Sequence, residues 1–382
     1  MVSQSSVEKE QHLNSPLLSK SGNIAQAKTH RDAEEESQIL KIEAFSYSRS
    51  KEFLFWILVV MTGGLLYLFD FWFMRLHLFL RYSRAHPGKA THLLIKTPHY
   101  TDLVETKEKE TLQMGKVLTF EHHYLPYYYD GLMFQPLFFE TALTYSSIIE
   151  KHSSGINNQE ELQEKKELFG KCQLEIPERG FLKLFFDELL HPFYIFQIYS
   201  CALWYWDDYR YYASAIVIIT TISLTTSLVQ TKKNLRNLKN IAFYSCKVET
   251  LRNNQWESLE SSELVPGDII EVPQGSKMPC DAVVLSGSCV MEEGMLTGES
   301  VPVLKDHLPN LSGSIYNIEL DKRYSLYEGT CTVQVISKKN QKVTALVTRT
   351  GFMTMKGKLV RSILYPKPNK FKFYEDSMKF IA

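Results

Sequence analysis

The sequence predicts a multi-domain membrane protein that combines an α-helical membrane hairpin, an all-β module and an N-terminal re-entrant membrane segment. Two apolar runs of membrane length, 189–206 and 211–229, flank a short polar turn. From 242 to 351, short β-branched runs alternate with glycines and polar turns, which is typical of an all-β domain. A third apolar run, at 53–73, is also long enough to reach across a bilayer.

The charge balance and the cysteine spacing argue against a nucleic-acid partner and a metal site. The 382 residues contain 43 Lys+Arg and 43 Asp+Glu, so the formal net charge is zero. A nucleic-acid-binding domain usually carries a basic surface, and we therefore predict no nucleic-acid partner. None of the six cysteines forms a CxxC pair or has histidines at zinc-site spacing. We predict reduced, buried thiols and no metal site.

The N-terminal residues divide into a tail and a membrane-associated segment. Residues 1–50 are polar and contain no apolar signal-peptide core, so they predict a disordered cytosolic tail. In the segment 51–90, Gly63-Gly64 interrupts the apolar run and basic residues flank both of its ends. The positive-inside rule places such residues on one side of a membrane, which favours a hairpin that enters and leaves the same leaflet. The basic residues after the run are candidate contacts for anionic lipid head groups: Arg75, Arg81, Arg84 and Lys89.

A clearer membrane hairpin follows a mixed N-terminal cytosolic region at 91–184. The hairpin occupies 185–230, and its tip contains Asp207-Asp208. Four basic residues follow the second helix between 232 and 239, so that end is expected in the cytosol. The β-module then also lies in the cytosol, and the chain is an integral, multi-pass membrane protein.

The stretch GMLTGESVPV at 294–303 is the strongest chemical signal in the β-module. Gly298 lacks a Cβ atom, so a flat, charged group can approach the turn closely. Glu299 can orient and deprotonate a water molecule, and a phosphoryl centre attacked in line by water is a suitable target. Alone, so short a motif fits equally well a glycine-centred hairpin with a solvated glutamate.

Two further motifs precede this stretch in the same module: LVPGDII at 264–270 and MPCDAVVLSGSC at 278–289. In this order, the three motifs resemble the actuator domain of P-type ATPases, which implies an all-β fold of distorted jelly-roll type over 231–365. The resemblance implies that Glu299 places the water that hydrolyses an aspartyl-phosphate. Thr297 and Gly298 then shape the approach, and Ser300 closes the turn. The resemblance also implies structural turn residues: Pro266, Gly267, Asp268, Pro279 and Asp281.

Sequences on either side of the module indicate the class. The first membrane hairpin, LLHPFYIFQIYSCALWYWDDYRYY, resembles that of the fifth, eukaryotic class of P-type ATPases. Residues 366–382 resemble a linker and the start of a third membrane helix in subgroup B, the polyamine-transporting ATPases. The stretch YLPYYYDGLMF departs from the subgroup pattern. Subgroup A, the endoplasmic-reticulum helix dislocases, has a similar first helix and stays an alternative.

The resemblance implies ATP-driven transport of a polyamine or another cation, in late endosomes and lysosomes or, alternatively, in the endoplasmic reticulum. The phosphorylated motif DKTGT is absent from these residues, because Asp321-Lys322 is followed by arginine. ATP and Mg²⁺ are therefore expected on domains outside this sequence, with no cofactor in this chain and no ATP hydrolysis by it alone. Two interpretations stay open: part of a longer transporter, or a short isoform that acts as a membrane-bound interaction or lipid-sensing protein.

Overall fold

The computed structural model describes most of the chain after residue 40. The described residues are 41–97, 101–111, 115–139, 144–152, 155–177, 180–190, 192–310, 315–318, 320–337 and 341–366. The predicted linker and third membrane helix at 366–382 lie almost wholly outside these residues, as do the first 40 residues of the predicted tail.

The described helices differ widely in length. They are α1 Arg49–Met61, α2 Leu65–Trp72, α3 Met74–Arg81, α4 Tyr145–His152, α5 Gln159–Phe169, α6 Phe181–Leu189, α7 Pro192–Trp206, α8 Arg210–Ala242, α9 Gly294–Thr297 and α10 Met355–Leu364.

The described strands fall into two stretches of the chain. The first stretch contains β1 Lys41–Tyr47, β2 Tyr82–Arg84, β3 His92–Lys96, β4 Thr101–Thr111, β5 Gly115–His122, β6 Leu125–Tyr129 and β7 Phe134–Pro136. The second contains β8 Lys247–Arg252, β9 Gln255–Glu260, β10 Ile269–Glu271, β11 Asp281–Ser286, β12 Ser288–Glu292, β13 Val303–Asp306, β14 Ser325–Leu326, β15 Cys331–Ile336 and β16 Thr344–Arg349.

These elements form two compact units. The helical unit comprises Phe45–Ala85 and Leu174–Phe243. The β-rich unit comprises the described parts of Met1–Ala44, His86–Gln173 and Tyr244–Ala382.

The first part of the helical unit folds back on itself. Gly63 and Gly64 end α1 with φ angles of 62° and 89°, a left-handed conformation that glycine adopts without a Cβ clash. After α2, helix α3 packs against α1, where the guanidinium of Arg81 lies 4.4 Å from the centre of the Phe55 ring. The helix therefore breaks where the sequence predicts a bend. Entry of this segment into a membrane stays a prediction.

The predicted disordered tail, 1–50, is wrong from residue 41 onward. Residues 41–47 form β1, and its last three residues pair with β2 in the register Phe45–Arg84, Ser46–Ser83 and Tyr47–Tyr82. This pairing satisfies backbone groups that a polar tail leaves to water. The buried Phe45 side chain shows that the segment contributes to a core.

The second part of the helical unit contains the predicted hairpin. Helices α7 and α8 are joined by a turn at Asp207-Asp208, and the Gln197 side-chain amide donates to the Thr220 hydroxyl across the pair. The second helix was predicted to end near 229, but α8 continues to Ala242 because its last turns are rich in strong helix formers. Among the described helices, only α8 is both long and apolar enough to cross a membrane, and little of its apolar stretch is buried.

The β-rich unit contains three described antiparallel arrays. Strands β3 to β7 follow one another as a meander. A six-stranded sheet has the order β14-β11-β16-β10-β8-β9, and a three-stranded sheet has the order β13-β12-β15. The sequence separates 91–184 from the module at 231–365. The structure instead packs 91–173 and the module from residue 244 onward into one core, in which Leu93 and Phe120 of the meander join Ile269, Val283 and Leu346 of the module. Residues 174–184 and 231–243 belong to the helical unit.

Candidate functional site

The Thr-Gly-Glu-Ser stretch lies on an exposed loop between β12 and β13. The loop begins as the one-turn helix α9, and Gly298 ends it in the left-handed region at φ 78°. The hydroxyl of Thr297 donates to the carbonyl of Glu293 at 3.1 Å and accepts the backbone N–H of Glu299 at 3.2 Å. Thr297, Gly298, Glu299 and Ser300 are all exposed. The four predicted residues therefore share one solvent-facing turn, and nothing lies within 4 Å of where a Cβ on Gly298 would be.

A buried ion pair closes the base of this loop. The Nζ of Lys305 on β13 lies 2.6 Å from Oε1 of Glu293, and both side chains are buried. Lys305 also donates to the carbonyl of Lys322 at 2.7 Å and lies over the Tyr327 ring. The carbonyl of Glu293 in turn accepts the N–H groups of Leu296 and Thr297. The two ends of the loop are thus fixed to each other while its tip is free to meet another surface.

The turn at Pro266, Gly267 and Asp268 is buried and has a structural geometry. Asp268 accepts from Arg252 through both carboxylate oxygens, Nε–Oδ1 at 2.9 Å and Nη2–Oδ2 at 2.6 Å. Its Oδ2 also accepts the N–H of Val265 at 2.9 Å. The carboxylate is fully enclosed, so it joins β8 to the turn before β10 and has no free lone pair facing solvent.

Replacing Gly267 by alanine tests the geometry of this turn. Gly267 has φ 99°, and a Cβ there would lie 2.6 Å from Nζ of Lys165 and 3.1 Å from Cζ of Phe139. We expect Gly267→Ala to destabilise the unit by about 2–3 kcal/mol, because strain and a clash act together. Gly275→Ala is the matched control, since Gly275 has φ 69° with nothing within 4 Å, and should cost only about 1 kcal/mol. Pulse proteolysis in urea measures both, and equal losses would contradict the clash.

Asp281 and Pro279 lie beside the same core. Asp281 begins β11 and is fully buried. Its Oδ1 accepts the N–H of Glu328 and its Oδ2 accepts the N–H of Met355, both at 2.8 Å, so it caps the start of α10. Burial raises the pKa of Asp281 to about 7, against the opposing effect of these two hydrogen bonds. The buried Pro279 offers its carbonyl to the thiol of Cys172 at 3.5 Å.

The raised pKa of Asp281 makes the stability of the unit depend on pH. The usual value is 3.8 and the folded value is about 7, so between them the folded state binds more protons than the unfolded state. Stability is therefore greatest on the acid side and falls as pH rises toward 7, by at most about 1.4 kcal/mol per pH unit. Burial also raises the pKa of Glu328, which acts in the same direction.

We expect Asp281→Asn to flatten the fall in stability between pH 5 and pH 7. The amide has one hydrogen-bond acceptor fewer than the carboxylate, so the variant is less stable at every pH. The readout is therefore the change of the urea midpoint with pH, and not the midpoint at a single pH. Asp306→Asn is the control. Its pKa is lowered by the hydrogen bond from Arg323, so its contribution is lost only at more acid pH. An unchanged slope in Asp281→Asn would contradict the assignment.

The four predicted lipid contacts do not share one environment. Arg75, Arg84 and Lys89 are exposed. Arg81 points inward instead, with Nη2 3.4 Å from Oε1 of Glu52 and Nε 3.9 Å from Oδ2 of Asp70. Arg81 therefore links α3 to α1, whereas the other three side chains are accessible to head groups.

The six cysteines form no disulfide, and the prediction that their thiols are buried is wrong for two of them. Four of them are buried and two are half-buried: Cys172, Cys201, Cys280 and Cys289, then Cys246 and Cys331. The sequence did not indicate the Glu293–Lys305 pair or the group formed by Asp102, His122 and His123. The doublet His122-His123 was the available signal for the second, but its partner lies twenty residues away in sequence.

Two family models match parts of this chain. A family model described as the P-type ATPase actuator domain matches residues 243–364. A second, described as the P5-type ATPase cation transporter, matches residues 35–114. The first match covers the exposed loop and both buried turns, and the second covers β1 to β4 and the bent helical segment.

Curated relatives match over a longer stretch. Polyamine-transporting ATPase 13A3 of Homo sapiens is 38% identical over 302 residues, which cover 75% of this chain and 25% of that protein. Polyamine-transporting ATPase 13A2 of Mus musculus is 44% identical over 232 residues, 60% of this chain and 20% of that protein. Vacuolar cation-transporting ATPase YPK9 of Saccharomyces cerevisiae is 33% identical over 396 residues, 91% of this chain and 27% of that protein.

The chain thus spans between a fifth and about a quarter of the length of these relatives. Two family models match it on either side of the predicted hairpin, and polyamine-transporting relatives match most of its length. The chain belongs to the P5-type ATPases, subgroup B, and holds the N-terminal portion of such an enzyme with its actuator domain.

Proposed function

We propose that this chain supplies the dephosphorylating arm of an ATP-driven transporter of polyamines or other cations. Glu299 positions and deprotonates the water that attacks an aspartyl-phosphate on another domain. Thr297 and Gly298 set the approach of the loop, and Ser300 closes its turn. The observation that carries this proposal is the exposure of all four residues at the tip of a loop whose base is fixed.

The geometry of the loop supports a docking role over a purely structural one. A carboxylate that stabilises a fold is normally paired when buried, as Asp268 and Asp281 are here. Glu299 is exposed at the tip, where its carboxylate is accessible to a separate phosphorylated domain. Gly298 offers no side chain that would hold the two surfaces apart.

Subgroup names among the relatives support the substrate class. Two of the relatives are named as polyamine-transporting and one as vacuolar cation-transporting. We therefore place the complete transporter in late endosomes or lysosomes, and favour it over a helix dislocase of the endoplasmic reticulum. The N-terminus and the actuator domain face the cytosol in this proposal. ATP and Mg²⁺ act on the phosphorylated partner domain.

The exposed basic residues support a second contact, with anionic lipid. Arg75, Arg84 and Lys89 are accessible and each can gain roughly 1 kcal/mol near a negatively charged leaflet. Arg81 contributes indirectly, because its ion pair with Glu52 holds α3 against α1. In this proposal, the basic residues hold the bent segment at the membrane surface.

A domain exchange tests the proposed function. Residues 35–364 of this chain replace the aligned stretch of the human polyamine-transporting relative, to give the 35–364 chimera. We expect the chimera to form an aspartyl-phosphate from ATP and to release phosphate, with stimulation by spermine. Phosphoenzyme that forms normally but decays only at the rate of spontaneous hydrolysis would contradict the dephosphorylating role.

A further inference from the structure

Three side chains with metal-binding atoms converge at the tip of the β5–β6 hairpin. The Nε2 atoms of His122 and His123 lie 3.2 Å and 3.4 Å from the same oxygen, Oδ2 of Asp102. The metal-binding atoms of the three residues all lie within 4.8 Å of one another. The side chain of His122 is buried, whereas Asp102 and His123 are half-buried, so the group can be reached from solvent.

The backbone of the hairpin brings the two histidines to one side. Successive residues of a strand normally point to opposite faces of the sheet. Here His123 and Tyr124 form the two-residue loop of the hairpin, with φ angles of 49° and 65°. These left-handed angles interrupt the alternation, and the rings of His122 and His123 stack with their centres 3.9 Å apart. Side chains other than Asn, Asp and Gly rarely occupy both positions of such a turn.

The donor set and its spacing suit a tetrahedral divalent ion. Two imidazole nitrogens and one carboxylate oxygen are the three protein ligands of many zinc sites. Ligands about 2.0–2.1 Å from a tetrahedral zinc ion lie about 3.3 Å from one another, which is close to the two nitrogen–oxygen distances above.

Aromatic contacts cover the group and connect it to the actuator domain. The ring of Tyr365, the residue after α10, stacks on His123 with centres 3.8 Å apart. Tyr124 stacks on Phe352 at 4.2 Å. An ion held by the hairpin tip would therefore sit where the N-terminal meander meets the end of the actuator domain.

We propose that Asp102, His122 and His123 form a site for a divalent transition-metal ion, Zn²⁺ above all, that fastens the β5–β6 hairpin against the C-terminal end of the actuator domain. The fourth coordination position is open to water. The sequence pattern predicts no metal site, and the site depends on no part of the transport mechanism.

Metal titration of the whole chain in detergent tests this site. All proteins carry serine at Cys246 and Cys331, the two half-buried thiols, so that these cysteines cannot bind the ion. After chelator treatment, Zn²⁺ binding is measured by calorimetry and Co²⁺ binding by the visible absorption of four-coordinate cobalt. We expect one ion per chain, the cobalt band, and a higher melting temperature with Zn²⁺.

Conservative variants separate a metal site from a hydrogen-bonded cluster. Asp102→Asn keeps the shape of the side chain, and His123→Gln replaces the ring by a neutral amide of similar length. Each should weaken Zn²⁺ binding at least about tenfold and remove the cobalt band. His307→Gln, at an exposed histidine outside the group, should change neither. If a variant melts early without metal, the other variant supplies the comparison. Absence of Zn²⁺ binding in the parent, or equal binding in parent and Asp102→Asn, would overturn the proposal.

Discussion

Glu299→Gln is expected to lengthen the life of the aspartyl-phosphate in the 35–364 chimera by about 10²–10⁴-fold. The amide keeps the size of the side chain and can still hold a water molecule, but it cannot accept the proton. Because Glu299 is exposed and lies at the tip of its loop, the substitution should leave the fold and the formation of the phosphoenzyme unchanged. Decay of radiolabelled phosphoenzyme after an unlabelled ATP chase measures the effect.

The matched control for this experiment is Glu292→Gln. Glu292 is another exposed glutamate, at the end of the strand that leads into the loop. We expect the control to decay at the parent rate. Similar decay in Glu299→Gln and in the parent would rule out Glu299 as the base, whereas slow decay in both variants would indicate a general loss of negative charge.

Arg252→Leu is expected to destabilise the β-rich unit by about 3–5 kcal/mol. The substitution leaves the carboxylate of Asp268 enclosed without its bidentate partner, and one remaining backbone N–H cannot offset the cost of desolvation. We expect faster proteolysis in urea and faster amide exchange in β8 and β10. Because the substitution affects folding and not the chemistry, the dephosphorylation rate should fall only in proportion to the amount of folded protein that is lost.

Arg323→Leu is the control with the same shortest contact and different burial, although both Arg323 hydrogen bonds go to a single oxygen of Asp306. Nη2 of Arg323 lies 2.6 Å from Oδ2 of Asp306, the same distance as in the Arg252 pair, but the Arg323 side chain is 69% exposed. Exposed pairs contribute little, and we expect no measurable loss. The double variant Arg252→Leu/Asp268→Leu should lose less than the sum of the two single changes. Equal losses in Arg252→Leu and Arg323→Leu would contradict the role of burial.

Helices and strands that are set by neighbouring residues could be predicted from the sequence, whereas an element that depends on pairing with a distant segment could not. Short β-branched runs and turn residues predicted strands such as β11 and β15, and length and hydropathy predicted the pair α7 and α8. The end of α8 was missed because the prediction followed the apolar run, whereas the helix continues through polar helix formers to Ala242. Strand β1 was missed because its stability depends on pairing with β2, which lies nearly forty residues later.

In the candidate site, too, residues adjacent in sequence were predicted and residues with distant partners were missed. Thr297, Gly298, Glu299 and Ser300 were found because they are adjacent in sequence and match a known motif. Arg252 and Lys305 were missed because each acts on a carboxylate twelve or more residues away. A buried cation can be assigned to its carboxylate partner only when the fold is known, because many acidic residues in the sequence could form the same ion pair.

The closed base of the β12–β13 loop has a consequence for the speed of the proposed reaction. Because Glu293 and Lys305 hold the two ends together, the conformational freedom of the intervening backbone is reduced during folding and not at each catalytic encounter. Less order then has to be created when the carboxylate meets its phosphorylated target, so the entropic part of the barrier is smaller. Lengthening the loop with flexible residues would restore that disorder and slow each turnover while leaving the chemistry of the carboxylate intact.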